Sequence, residues 1–139
     1  MRAYFDTSAL LKLILEEPGS NTAERAARAA SRLHAATFLL AEAGAALASA
    51  HRSRRLTNRG YAIAKQSLEV LWAPILPVVP GLRLVRRAAV LAEQEALRGY
   101  DAVHLAAALE AEAEAFVCAD AGLIPAALNH GLEVINARR

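Results

Sequence analysis

The chain has 139 residues, which fits a single domain over residues 1–139, and 55% of them are hydrophobic, enough for a sizeable core and too many for a disordered chain. A formal charge of +2 and a pI near 9.0 exclude a dedicated, strongly basic nucleic-acid coat. Cys118 is the only cysteine, which excludes an intrachain disulfide and a cysteine-based zinc cluster and fits a reducing, cytoplasmic setting.

In chain order, Ala3 to Phe5 predicts a first strand, followed at once by a helix through Ala9 to Leu15. The segment Glu16-Glu17-Pro18-Gly19-Ser20 breaks it. Asn21 to Ala30 reads as a short helix with Arg25, Arg28 and Arg32 along one side, and Leu33 to Ala36 as a second strand. Thr37 is placed to cap a helix from Phe38 to about Arg54, and Thr57 or Asn58 to start the next, reaching about Leu71. Ile75 to Val79 predicts a third strand, confined to a sheet edge by its proline.

Leu84 to Arg98 is amphipathic, with Val85, Ala88, Ala89, Ala92 and Ala96 on one side. Gly99-Tyr100 separates it from a helix beginning near Asp101. Ala115 to Ala119 is a fourth strand, Gly122 to Asn129 a short helix ended by Gly131, and Leu132 to Ile135 a fifth strand. Strands alternating with helices imply parallel pairing in an open α/β sheet covered on both faces. No signal peptide is visible. The longest uncharged run, Val70 to Leu82, is interrupted by Pro74, Pro77 and Pro80 and is shorter than the roughly 18–20 residues of a membrane span.

Aspartate occurs only at positions 6, 101 and 120. Asp6 and Asp120 follow apolar strand-like runs, and Asp101 heads a helix. Sites on open α/β sheets lie beyond the carboxyl ends of the strands, where Asp6 and Asp120 fall. Glu42 is the only charge in the apolar helical segment Phe38 to Ala50. A buried carboxylate there needs a partner or a metal, and no lysine or arginine lies within a turn of it.

Gathered in one pocket, these four acids would repel by about 4 kcal/mol for each pair at 4 Å and an effective dielectric near 20. Such a cluster protonates or recruits cations. Oxygen ligands without histidine or cysteine point to Mg²⁺ or Mn²⁺. That ion chemistry suits phosphodiester hydrolysis. Each acid also has a plainer reading: Asp6 and Asp101 as helix N-caps, Asp120 as a turn residue, Glu42 as a surface glutamate on a narrow exposed stripe.

The segments Tyr4 to Ser20, "YFDTSALLKLILEEPGS", "LRGYDAVHLAAAL" around Asp101 and "AFVCADAGL" around Asp120, with Glu42 between, resemble a PIN-domain nuclease of the VapC toxin type over essentially the whole chain. The resemblance implies a three-layer α/β/α domain with a central parallel five-stranded sheet. It also implies an Mg²⁺- or Mn²⁺-dependent endoribonuclease whose ligands match Asp6, Glu42, Asp101 and Asp120, usually homodimeric and held inactive by a cognate antitoxin. One departure is Cys118, where the family often has Thr or Ser two positions before the last Asp. A thiol is the poorer hydrogen-bond partner. Thr7 and Ser8 retain the hydroxyls next to Asp6.

His104, one turn after Asp101, is read as structural ahead of a general acid or phosphate contact, Cys118 as a strand core residue ahead of a nucleophile, and Trp72 as packing ahead of a base-stacking platform. Arg52, Arg54, Arg55 and Arg59 are the candidates for RNA backbone contact, against the plainer reading of a solvated helix end. The competing functional reading is a non-catalytic RNA- or protein-binding module on the same scaffold. A phosphotransferase with Asp6 as nucleophile is disfavoured, because position 8 is Ser8 where that chemistry wants an acid.

Overall fold

A computed structural model describes all residues from Met1 to Arg139. Five strands, β1 (Arg2–Phe5), β2 (Arg32–Ala36), β3 (Leu76–Val78), β4 (Ala115–Cys118) and β5 (Glu133–Asn136), form one sheet in the order β3-β2-β1-β4-β5, and every pair is parallel. Seven helices cover it: α1 (Thr7–Leu11), α2 (Ser20–Ala29), α3 (Leu39–Arg52), α4 (Asn58–Trp72), α5 (Leu82–Glu95), α6 (Gly99–Glu110) and α7 (Ile124–Asn129). The three-layer α/β/α architecture with a parallel five-stranded sheet is as the sequence implies.

Strand alternation splits the core in two. Ala3, Phe5, Ala35, Ala115 and Val117 face the layer of α1 to α4, while Tyr4, Ala36, Phe116 and Cys118 face α5 to α7. Both faces of the central strands are therefore apolar, as parallel strands require. Alanine makes this packing close: Ala102, Ala106, Ala107 and Ala108 of α6 are all fully buried. Gly19, which caps α2 at φ 95°, touches the Ala137 carbonyl where no Cβ fits.

Six local expectations need correction. The first helix ends at Leu11, and Lys12, Leu13 and Ile14 continue in tight turns bonded to Ala9, Leu10 and Leu11. This bends the chain into Glu17, which Pro18 keeps out of helical conformation. Arg32 opens β2 and does not extend the basic side of α2. Thr37 does not cap α3; its N–H bonds the Val78 carbonyl and prolongs the β2–β3 ladder. Helix α5 buries Leu84, Ala88 and Leu91, while Val85 and Ala89 turn to a cavity and Ala96 leaves the helix at φ 52°. Finally, Gly99 and Tyr100 form the first turn of α6, and α7 starts two residues late, after an Asx turn in which Asp120 Oδ1 accepts the Gly122 N–H.

The predicted edge strand is right: β3 contains Pro77 and pairs only with β2. Thr57 caps α4 as anticipated, accepting the Gly60 N–H at 2.9 Å. Because β1 pairs with β2 on one side and β4 on the other, the direction of winding reverses at β1. A crevice opens at such a reversal, beyond the carboxyl ends of the strands.

Candidate active site

Asp6 emerges from β1 into that crevice. Its N–H still bonds the Val117 carbonyl, and its carboxylate caps α1 by accepting the Ala9 N–H at 2.9 Å. Ser8 donates to the same carboxylate, at 2.7 and 2.9 Å to its two oxygens, and accepts the Ala119 N–H at 2.9 Å. The hydroxyl thus ties Asp6 to the end of β4. Asp6 is only 3% exposed. Burial pushes its carboxyl above the ordinary range; the His104 ring and the bonds from Ser8 and Ala9 offset this only in part. The cap and the buried acid are one residue, not alternatives.

Glu42 lies in the first turn of α3 and accepts from Thr7 Oγ1 at 2.5 Å and His104 Nε2 at 2.9 Å. Partial burial raises its carboxyl, but the bonds from His104 and Thr7 outweigh this and hold it below the usual range. His104 is buried, and its Nδ1 lies 2.7 Å from the Tyr4 hydroxyl, which accepts the Ala36 N–H. Tyr4 is fully buried, and burial pushes its phenol well above 10, so it keeps its proton, and a neutral His104 ring whose Nε2 faces Glu42 presents Nδ1 to it as the acceptor. The Glu42 carboxylate only accepts, so Nε2 carries the ring proton and donates it there. The structural role assigned to His104 is therefore specific: it connects the sheet to Glu42.

Asp101 and Asp120 face one another across Arg98. The guanidinium Nε lies 3.1 Å from Asp101 and Nη2 lies 3.4 Å from Asp120. The Arg98 side chain is itself largely exposed. Asp120 Oδ1 also accepts the Gly122 N–H at 2.9 Å. Cys118 supplies what the missing hydroxyl would: its sulfur accepts the Asp120 N–H at 3.2 Å and its S–H donates to the Asp120 carbonyl at 3.4 Å. Burial pushes this thiol far up, with Asp6 and Asp120 adding to the effect, so it is no nucleophile.

The four acids thus converge by pairs. Glu42 and Asp101 line one cavity of about 580 Å³ with Arg98, Arg98 pairs with both Asp101 and Asp120, and Ser8 ties Asp6 to Ala119, the residue before Asp120. Nowhere do three His, Cys, Asp or Glu side chains close round a single point. An oxygen-only, open donor set suits a hard divalent ion that keeps several waters and takes only one or two carboxylates directly. A single guanidinium already neutralises two of the four acids, which is the demand such an ion would meet. The sequence profile of the PIN domain matches residues 3–135.

The chain belongs to the PIN-domain family, on its VapC ribonuclease branch.

Ribonuclease VapC45 and Ribonuclease VapC49 of Mycobacterium tuberculosis are each 40% identical to it over 106 residues, covering 76% of this chain and 74% of theirs. A toxin-antitoxin complex from Klebsiella pneumoniae shares the fold at TM-score 0.66 and 18% identity, over 97% of both chains. The PIN fold and the nuclease family read from the sequence both hold.

Two placements were not legible beforehand. Arg98 stands at the N-cap of α6, where a cation opposes the helix dipole. That anomaly, three residues before an aspartate, was the available signal. Tyr100 stands exposed beside it in the first turn of α6. By contrast, Arg52, Arg54, Arg55 and Arg59 are exposed but sit at the far end of α3, in the turn after it and in the first turn of α4. Ten residues of helix put Arg52 roughly 15 Å from Glu42.

Proposed function

We propose that this PIN-domain chain is the toxin of a toxin–antitoxin pair, an endoribonuclease that hydrolyses RNA phosphodiester bonds with Mg²⁺ or Mn²⁺. The observation that carries the reading is that Arg98 joins Asp101 to Asp120 and shares one cavity with Glu42 and Asp101, while Asp6 is tied through Ser8 to the end of β4 at the sheet's switch point. Asp6 and Asp101 would hold the ion, Glu42 would complete or orient the shell, and Asp120 would support it directly or through water. When bound, the ion would lower the pKa of an attacking water and offset charge on the leaving oxygen.

The chain's own contribution is orientation and proton management. Glu42 is held ionised and oriented by His104 and Thr7, which suits it to complete or orient the metal shell, while the same bonds make it a weaker acceptor for a proton from the attacking water. Ser8 and the α1 cap fix both oxygens of Asp6. The relatives named ribonucleases support the activity, and the Klebsiella complex supports a cognate antitoxin as partner. A homodimer fits the exposed Ile63 and Val70 of α4, which border an apolar groove with Leu13.

The test is cleavage of single-stranded RNA with added Mg²⁺ or Mn²⁺ by the wild type, Asp6→Asn and Asp101→Asn. Both variants are expected to lose at least about a hundredfold, the scale of removing a key electrostatic group. Equal cleavage by all three proteins would overturn the assignment.

A further inference from the structure

Of the seven phenylalanine, tyrosine and tryptophan residues, only Tyr100 is exposed, at 67%. One side of its ring is supported. Phe38 lies 5.4 Å away at a 30° tilt, and Phe38 in turn lies 4.6 Å from the His104 ring. His104 is fixed to Tyr4, whose ring stacks on Phe116 at 5.6 Å. A continuous series of rings therefore runs from the centre of the sheet to this one exposed aromatic. Tyr100 is thus an exposed ring held on a rigid base.

Its position is as informative as its backing. Tyr100 precedes Asp101, shares the 580 Å³ cavity with Glu42, Arg98 and Asp101, and borders the apolar wall of Val85, Ala89 and Ala92. We propose that Tyr100 is a stacking platform for an unpaired nucleobase of the RNA substrate, next to the phosphate that is cut. The inference rests on the ribonuclease reading of the carboxylates and adds a substrate subsite to it. Unpaired bases are recognised by stacking on aromatic faces while arginine meets the backbone. The exposed Arg98 beside Tyr100 pairs with Asp101 and Asp120 here; an ion that took those two carboxylates would leave its guanidinium to a neighbouring phosphate, a cation for which an apolar protein side chain would have no use.

The experiment uses the full chain with Tyr100→Ala, Tyr100→Phe and Tyr100→Trp, the last in a Trp72→Phe background. Loss of one stacked base predicts a KM for single-stranded RNA about 5- to 150-fold higher in Tyr100→Ala. Its kcat should stay within a few-fold, Tyr100→Phe should match wild type, and thermal melting of the exposed-site variants should be little changed. The tryptophan introduced at this position should be quenched by a single-stranded homopolymer oligonucleotide and not by duplex RNA. An unchanged KM in Tyr100→Ala, with wild type active, overturns the platform. So does loss of binding to a co-expressed protein partner with RNA kinetics intact. Failure of the parent reading is distinct: wild type and Asp6→Asn would then cleave alike.

Discussion

Deleting one oxygen, by Tyr4→Phe, tests whether the path from sheet to Glu42 is built as described. The Tyr4 hydroxyl is fully buried, accepts the Ala36 N–H at 3.2 Å and donates to His104 Nδ1 at 2.7 Å. Its loss leaves one buried donor and one buried acceptor without partners and no room for water. At about 1–3 kcal/mol for each unsatisfied group, partly relieved by local shifts, the variant should lose about 2–4 kcal/mol. For a domain of this size that lowers Tm by roughly 5–15 °C. The same change frees the His104 tautomer, so the Nε2–H bond to Glu42 is no longer enforced. Loss of such an orienting contact to a proposed ligand should cost about 10- to 100-fold in metal affinity or cleavage. Urea unfolding gives the first quantity, and calorimetric Mn²⁺ titration with single-turnover cleavage gives the second. A His104→Leu cycle should show a coupling of about 1 kcal/mol or more. Stability within about 0.5 kcal/mol of wild type, with cleavage unchanged, would refute the account.

Asp6→Asn should abolish cleavage yet raise Tm in metal-free buffer at pH 7. Asparagine caps a helix as well as aspartate, and the buried charge is removed. The sign follows from the raised carboxyl: its contribution favours folding fully below the free aspartate value of 3.8 and is lost as pH rises through the higher folded value. The gain should therefore vanish in acid, and a Tm below wild type at pH 7 contradicts it. Arg98→Ala removes the cation that already occupies Asp101 and Asp120, so calorimetry should show Mn²⁺ binding several-fold more tightly; weaker binding would show that Arg98 does not compete with the ion. If Arg52, Arg54, Arg55 and Arg59 track the RNA backbone, replacing all four with alanine should flatten the salt dependence of binding by roughly 0.7 per lost phosphate contact while leaving single-turnover cleavage at saturation intact; an unchanged slope makes them a solvated helix end. Ile63→Glu with Val70→Glu should give a monomer by light scattering, and a persisting dimer would place the interface elsewhere.

Much of this protein was written locally. Strands β1, β2, β4 and β5 follow from short apolar runs, β3 from its proline as an edge, and α4 from the Thr57 cap, because these depend on side-chain period and backbone chemistry within a few residues. The acids were legible by scarcity, with aspartate at only three positions, and by the lone charge of Glu42 in an alanine-rich helix. The errors have two causes. The ladder bond of Thr37 and the face chosen by α5 are set by neighbours distant in sequence, which local pattern does not carry, while the turn after Leu11 and the Asx turn before α7 are local bonds that hydrophobic period does not show. Only the tertiary structure decided that Tyr4 and His104, 100 positions apart, would fix the proton that Glu42 receives. It likewise placed Arg98 between Asp101 and Asp120 and left Tyr100 as the one exposed ring beside them. Residue type and spacing set which groups carry charge and which bury; parallel packing, with its winding reversed at β1, set which of them meet.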